Sequence, residues 1–137
     1  MSDLILNQVE SDDLMLVMNR VHDESSAHYT LLNHSAGNMI AELGEYPGDE
    51  SSIFSALSSA TYSSVSSMIS GIGDELFDSM NLRGKKWTLC ILPINSSAQL
   101  IFIFKSDALP VLSKSAISDW RGSLDQVVQA FGGTQSI

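Results

Sequence analysis

The sequence predicts an α/β (α+β) sandwich: a five-stranded antiparallel sheet with helices on both faces, in the order αββαβββα. Three observations carry this reading. Two runs, WTLCILPI (Trp87–Ile94) and LIFIF (Leu100–Phe104), are almost wholly apolar, β-branched and aromatic, the pattern of central strands covered on both faces. Helical periodicity recurs at both ends of the chain. Between them lies a serine-rich tract that sorts on a helical wheel rather than scattering.

The elements follow in order. From Asp12 to Asp23, Leu14, Val17, Met18 and Val21 keep the i, i+3, i+4, i+7 spacing of a helix, with Ser11 or Asp12 as its cap. Ahead of it, Leu4–Leu6 (LIL) is too short to assign. His28–His34 and Asn38–Leu43 read as a hairpin around Ser35-Ala36-Gly37, where Gly37 can take a positive φ. GEYPGD (Gly44–Asp49) breaks the chain. In the tract SSIFSALSSATYSSVSSMIS (Ser51–Ser70), Ile53, Phe54, Leu57, Val65, Met68 and Ile72 share one arc, and Ser55, Ser59, Ser63, Ser66 and Ser70 gather opposite, beside Ala56. This is a helix capped by Asp49 or Ser51 and stopped at Gly71 and Gly73, its apolar arc expected on the core. Phe77–Leu82 is the third strand. The two apolar strands follow, Pro93 bulging or fraying the first. Pro110 lies near the start of a last helix, marked by Ile117, Trp120, Leu124, Val127, Val128 and Phe131 and ended by Gly132-Gly133.

The 137 residues are read as one domain, 1–137, with its core over about 12–131. A net charge of −9 argues against nucleic acid or anionic lipid as the main partner. No apolar run reaches the ~20 residues of a membrane span, and the N-terminus lacks a secretory pattern, so a soluble, cytoplasmic protein is expected. The single cysteine, Cys90, allows neither an intrachain disulfide nor a cysteine metal cluster; inside an apolar strand it reads as a buried, inert thiol.

No catalytic, cofactor or metal constellation emerges. His22, His28 and His34 recur every six residues, but on one strand His28 and His34 stand ~20 Å apart, too far to share a metal. Gly71-Ile72-Gly73 is no dinucleotide fingerprint, no Gly-x-Ser-x-Gly elbow exists, and Asp74, Glu75 and Asp78 read as a solvated cluster. What remains is a surface. Not one charge occurs between Ser51 and Ser70, whereas a helix meant for solvent usually carries Glu, Lys and Arg. The small face, Ser55, Ala56, Ser59, Ser63, Ser66 and Ser70, is therefore read as meeting a second protein chain.

The hairpin YTLLNHSAGNMIAELG, the helix SALSSATYSSVSSMISGIGDELF and the strands WTLCILPI and QLIFIF before a final helix resemble the Roadblock (dynein light-chain) domain family. The likeness covers about residues 12 to 131, and bacterial MglB-like members are similar down to an apolar stretch such as LIL before the first helix. The resemblance implies strand order 2-1-5-4-3, with the second helix on one face and the first and last on the other. It implies a homodimer in which third strands pair edge to edge, adding Met80, Asn81 and Leu82 to the interface. It further implies a regulator of a small Ras-like GTPase, in some members a GTPase-activating protein in bacterial polarity or motility. Such members seat the GTPase's own switch residues without an arginine finger, and no arginine falls on the serine helix here. A scaffold or adaptor without effect on hydrolysis is the second reading. One departure bears on the choice: relatives often carry a Leu-Gly-Leu-Val-Arg-like stretch after the last strand, where this chain has Ala108-Leu109-Pro110-Val111-Leu112-Ser113-Lys114.

Overall fold

The computed structural model describes residues 8–75, 77–110 and 112–135, with side chains described between residues 12 and 129. Three helices and five strands follow in the expected order: α1 (Gln8–Ser25), β1 (Tyr29–His34), β2 (Met39–Gly44), α2 (Ser51–Gly71), β3 (Met80–Arg83), β4 (Trp87–Pro93), β5 (Ala98–Lys105) and α3 (Lys114–Gln135). All pairings are antiparallel, and the sheet order is β2-β1-β5-β4-β3, as the resemblance implies.

The strands alternate between two cores because successive side chains point to opposite faces. On one face Leu32, Cys90, Leu92, Leu100, Phe102 and Phe104 pack under α1 and α3, which contribute Leu14, Met18, Val21, Trp120, Leu124 and Val128. On the other face Tyr29, Leu31, Ile91, Ile101 and Ile103 meet Phe54 of α2, together with Tyr46, Phe77 and Trp87. β5 is the central strand, and its first seven residues are all buried. Pro93 does not bulge β4: the β4–β5 register runs unbroken from Trp87 to Pro93, and β3 pairs only with Thr88 to Ile91. The proline thus ends β4 where no third-strand partner is asked of it.

Several boundaries differ from the sequence expectations. α1 begins at Gln8, so neither Ser11 nor Asp12 is its cap, and the stretch Leu4–Leu6 lies outside the described residues. Glu50, not Asp49 or Ser51, occupies the N-cap of α2 and makes no side-chain capping bond. The third strand is Met80–Arg83 and starts three residues later than expected. α3 runs through Gly132-Gly133 to Gln135, so the glycine pair is not its stop. The turn glycines behave as expected: Gly37 has φ 101° and Gly73, just past α2, has φ 89°.

The largest correction concerns the rotation of α2. Its buried residues are Ser55, Ser58, Ser59 and Tyr62, whereas Leu57 is 62 % and Ile72 81 % exposed. Ser55 and Ser59 of the serine face therefore pack on the sheet, while Ile53, Leu57, Met68 and Ile72 of the apolar arc point away from it and only Phe54 of that arc stays on the core. The cause is polar. Beneath the helix β1 and β5 present Asn33 and Gln99, a cross-strand pair, both fully buried. Asn33 Nδ2 donates to the Ser55 carbonyl at 3.0 Å and lies 3.2 Å from the Ser59 hydroxyl. The hydroxyls of Ser55 and Ser59 in turn donate to hairpin carbonyls, Gly37 at 2.7 Å and His34 at 2.8 Å. A leucine or isoleucine here would strand these buried amides and carbonyls, at ~1–3 kcal/mol each. Small side chains also let the helix come close: a Cβ placed on Gly37 would stand 3.4 Å from the Ala56 Cα.

Trp120 on α3 is 1 % exposed, stands edge-on to Phe102 and donates its indole N–H to Glu24 at 2.7 Å. Trp120→Ala should cost ~3–5 kcal/mol in a urea titration, and an unchanged midpoint would show this core assignment to be mistaken. The matching expectation for Phe131 falls on a side chain outside those described. For α2, Ser55→Leu should destabilise by more than about 1 kcal/mol through overpacking and lost bonds, while Leu57→Ser should change protomer stability by less than about 0.5 kcal/mol. The reverse ranking would put the helix back in the orientation expected from its hydrophobic arc.

Candidate interaction surface

With Ser55, Ser58 and Ser59 turned inward, α2 offers Ile53, Leu57 and Met68, with Ile72 just past its end, along its outer side, separated by exposed Ala56, Ala60, Ser64 and Ser67. Between Ser51 and Ser70 no charged residue interrupts this face. Isolated exposed apolar residues are ordinary, but a continuous uncharged stripe on one helix is the mark of a contact surface.

The second part of the surface is the free edge of β3. The sheet order makes β3 terminal, so one row of its backbone groups has no strand partner. The orientation of that row follows from the register. Gly84 N–H donates to the Trp87 carbonyl at 2.9 Å, and Leu82 opposes Leu89 while Met80 opposes Ile91. Alternate residues therefore aim at β4 from Met80, Leu82 and Gly84, which leaves the N–H and C=O of Asn81 and Arg83 directed outward. Side chains alternate as well: Met80 and Leu82 lie on the α2 side of the sheet, with Leu82 48 % exposed, and Asn81 and Arg83 face the α3 side.

Stripe and edge flank one groove of about 510 Å³, lined by Tyr46, Phe54, Leu82, Trp87, Leu89 and Ile103. α2 reaches the start of β3 through Tyr62 and Phe77, whose rings stand 5.6 Å apart. An incoming helix or strand would thus find apolar side chains and unpaired backbone groups side by side.

The residues expected at this surface separate into two sets. Ser55 and Ser59 are buried under α2 and are not available to a second chain in the folded protomer; the seam with Asn33 claims them. Ser66 is half-buried, its hydroxyl covered. Ala56, Ser63 and Ser70 are exposed on the flank of the stripe, and Met80, Asn81 and Leu82 form the β3 edge. The outward residues Ile53, Leu57, Met68 and Ile72 were assigned to the core from sequence. The signal that could have placed them outside is Asn33, a polar residue in the middle of an otherwise buried strand, which requires hydroxyl partners from the element above it.

The groups that carry chemistry elsewhere are used structurally. His22 Nδ1 lies 2.6 Å from the Thr30 hydroxyl, with burial lowering its pKa despite the charge of Asp23. His28 packs on Trp87, and His34 accepts from the Ala36 N–H. Among the described residues no three His, Cys, Asp or Glu side chains come together to hold a metal, and no helix is long and apolar enough to cross a membrane. The Cys90 thiol is 3 % exposed, and burial pushes its pKa up to about 11, which keeps it protonated and unreactive.

No family model and no curated protein matches the sequence. Solved structures do match the fold. Myxococcus xanthus MglB is similar with TM-score 0.81 and 18 % identity, over 93 % of this chain and 96 % of that one. The gliding protein MglB of Thermus thermophilus follows with TM-score 0.78 and 16 % identity, over 93 % and 96 %. A Roadblock/LC7 domain from Streptomyces avermitilis gives TM-score 0.65 and 17 % identity, over 85 % and 94 %. With its helices divided α2 against α1 and α3 across a β2-β1-β5-β4-β3 sheet, this chain has the Roadblock fold in the form taken by MglB.

Proposed function

We propose that this protein is a homodimeric regulator of a small Ras-like GTPase, and that it accelerates GTP hydrolysis in a bacterial polarity or motility system. The observation that carries the reading is the charge-free apolar stripe of α2 beside the open edge of β3, on a frame that matches MglB over 93 % of the chain. Two such protomers joined at their β3 edges set two α2 stripes side by side. The joint face is broad, rigid and uncharged, suited to holding the mobile switch segments of a GTPase in one arrangement. The α2 helix carries no arginine or lysine that could enter the partner's nucleotide site, so its contribution is positional. The protein itself acts as a regulator or adaptor rather than as an enzyme, and it needs no cofactor.

A second reading has one observation in its favour. After β5 the run Ala108–Lys114 lacks the glycine and arginine of the Leu-Gly-Leu-Val-Arg-like stretch; Leu109, Pro110 and Leu112 instead line a groove with Asn81, Arg83 and Ile117. If relatives touch their GTPase there, this chain binds without accelerating, as a scaffold or adaptor.

Single-turnover GTP hydrolysis by the cognate GTPase, with and without the protein, separates the two. Faster turnover supports activation, binding with unchanged turnover supports the scaffold, and absence of binding sinks both. Light scattering at micromolar concentration should return twice 14.8 kDa. Ser63→Arg, at the flank of the stripe, should leave the fold intact and weaken dimer or GTPase binding at least tenfold, about 1.4 kcal/mol. Wild-type behaviour of that variant would remove the α2 flank from the contact.

A further inference from the structure

The chain around β3 segregates its charge. Asp74, Glu75 and Asp78, all exposed, precede the strand, and Arg83, Lys85 and Lys86, also exposed, end it and form the hairpin tip. With Lys105 beside that tip, four of the seven cationic residues of a protein of net charge −9 collect at one end of one edge, Asp107 being the acid among them. Asp78 is held in place from its backbone: its carbonyl accepts from Arg121 Nη2 at 2.7 Å. The geometry points to a self-complementary edge, in which β3 pairs antiparallel with β3 of a second copy and the Asp78 carboxylate of each protomer meets Lys86 of the partner subunit. This deepens the dimer reading above and rests on it.

The register confines the alternatives. Only Asn81 and Arg83 direct their backbone groups outward, and the antiparallel registers that overlap β3 most with its own copy place the two-fold axis beside Leu82 or beside Asn81. With Leu82 facing its own copy, the end of the pair that carries Asp78, just ahead of β3, meets the hairpin turn that carries Lys86 of the partner subunit. With Asn81 facing its own copy, the Asp78 end shifts along the other strand but still lies beside its hairpin turn, within reach of the long side chain of Lys86 of the partner subunit. In both cases opposite charges meet twice, once at each end. A parallel pairing would instead stack acid on acid and base on base. The occupant is therefore a second copy of this chain: its own edge supplies the complementary charge order, and the exposed Leu82 of each protomer is covered in the same step.

The test is a charge exchange on the full-length chain, read by sedimentation equilibrium, with circular dichroism to confirm folding. Asp78→Lys and Lys86→Asp alone each create two like-charge contacts and should weaken the homodimer about tenfold. The chain carrying both substitutions should dimerise like wild type. So should an equimolar mixture of the two single variants, because the heterodimer contains only opposite-charge pairs; no loss of protomer stability can produce that recovery. A wild-type dimer indifferent to both single changes, or single variants that stay dissociated when mixed, overturns the charge clamp and leaves the dimer standing. A wild-type chain that is monomeric overturns the dimer reading itself.

Discussion

The bond between the Asn33 amide and the α2 helix above it determines what this molecule can present to others. Asn33 sits in the middle of β1, fully buried, with Gln99 beside it on β5. Amides on a covered sheet face demand polar partners. Ser55 and Ser59 meet the Asn33 Nδ2 group while also holding the hairpin carbonyls of His34 and Gly37, and Asn33 Oδ1 and Gln99 Nε2 stay without a partner among the described residues. Since a helix has one rotation about its axis at a time, satisfying this seam commits the remaining face. Ile53, Leu57, Met68 and Ile72 then have nowhere to go but outward. The protomer thus exposes apolar area in exchange for a hydrogen-bonded junction between α2 and the sheet.

The opposite face of the sheet follows simpler rules. α1 and α3 bury their apolar stripes conventionally, and polar bonds at the rim lock the two helices together: Arg20 to Asp119 and to Ser123 at 2.9 Å, and Trp120 to Glu24 at 2.7 Å. This side is closed by the chain itself. The division of labour is physical. One face of β5 and its neighbours is covered by two helices, the other by the single helix α2, which meets the sheet through Phe54 and its polar seam, so the β3–β4 half of that face remains a groove.

Edge strands ordinarily carry charge or proline to keep other chains away. The segments that flank β3 carry charge too, but sorted by sign, acids before the strand and bases at its end, rather than mixed. Sorting changes the consequence: a mixed edge repels or ignores most strands, whereas a segregated one selects a partner by direction. Together with an uncharged α2, this confines the charge on the α2–β3 side to the strand ends and leaves the middle of that side apolar.

What the amino-acid sequence determined by itself was the set of elements and their order. Local periodicity suffices for that: the period of α1 and α3, the unbroken apolar runs of β4 and β5, and the positive φ that Gly37 had to supply are all properties of neighbours in the chain. The same local logic singled out α2, because absence of charge over a whole helix is visible without coordinates. The rotation of α2 was not local. Its apolar and serine arcs are both uncharged, so either can be buried, and the choice rests with Asn33 and Gln99, far away in sequence and brought beneath the helix only by the β1–β5 pairing. The helix ends at Gln8 and Gln135 likewise lie beyond the cap and glycine signals, each a local preference of about 1 kcal/mol. Amphipathicity shows that a helix has two faces; which one is inside depends on what the sheet asks of it.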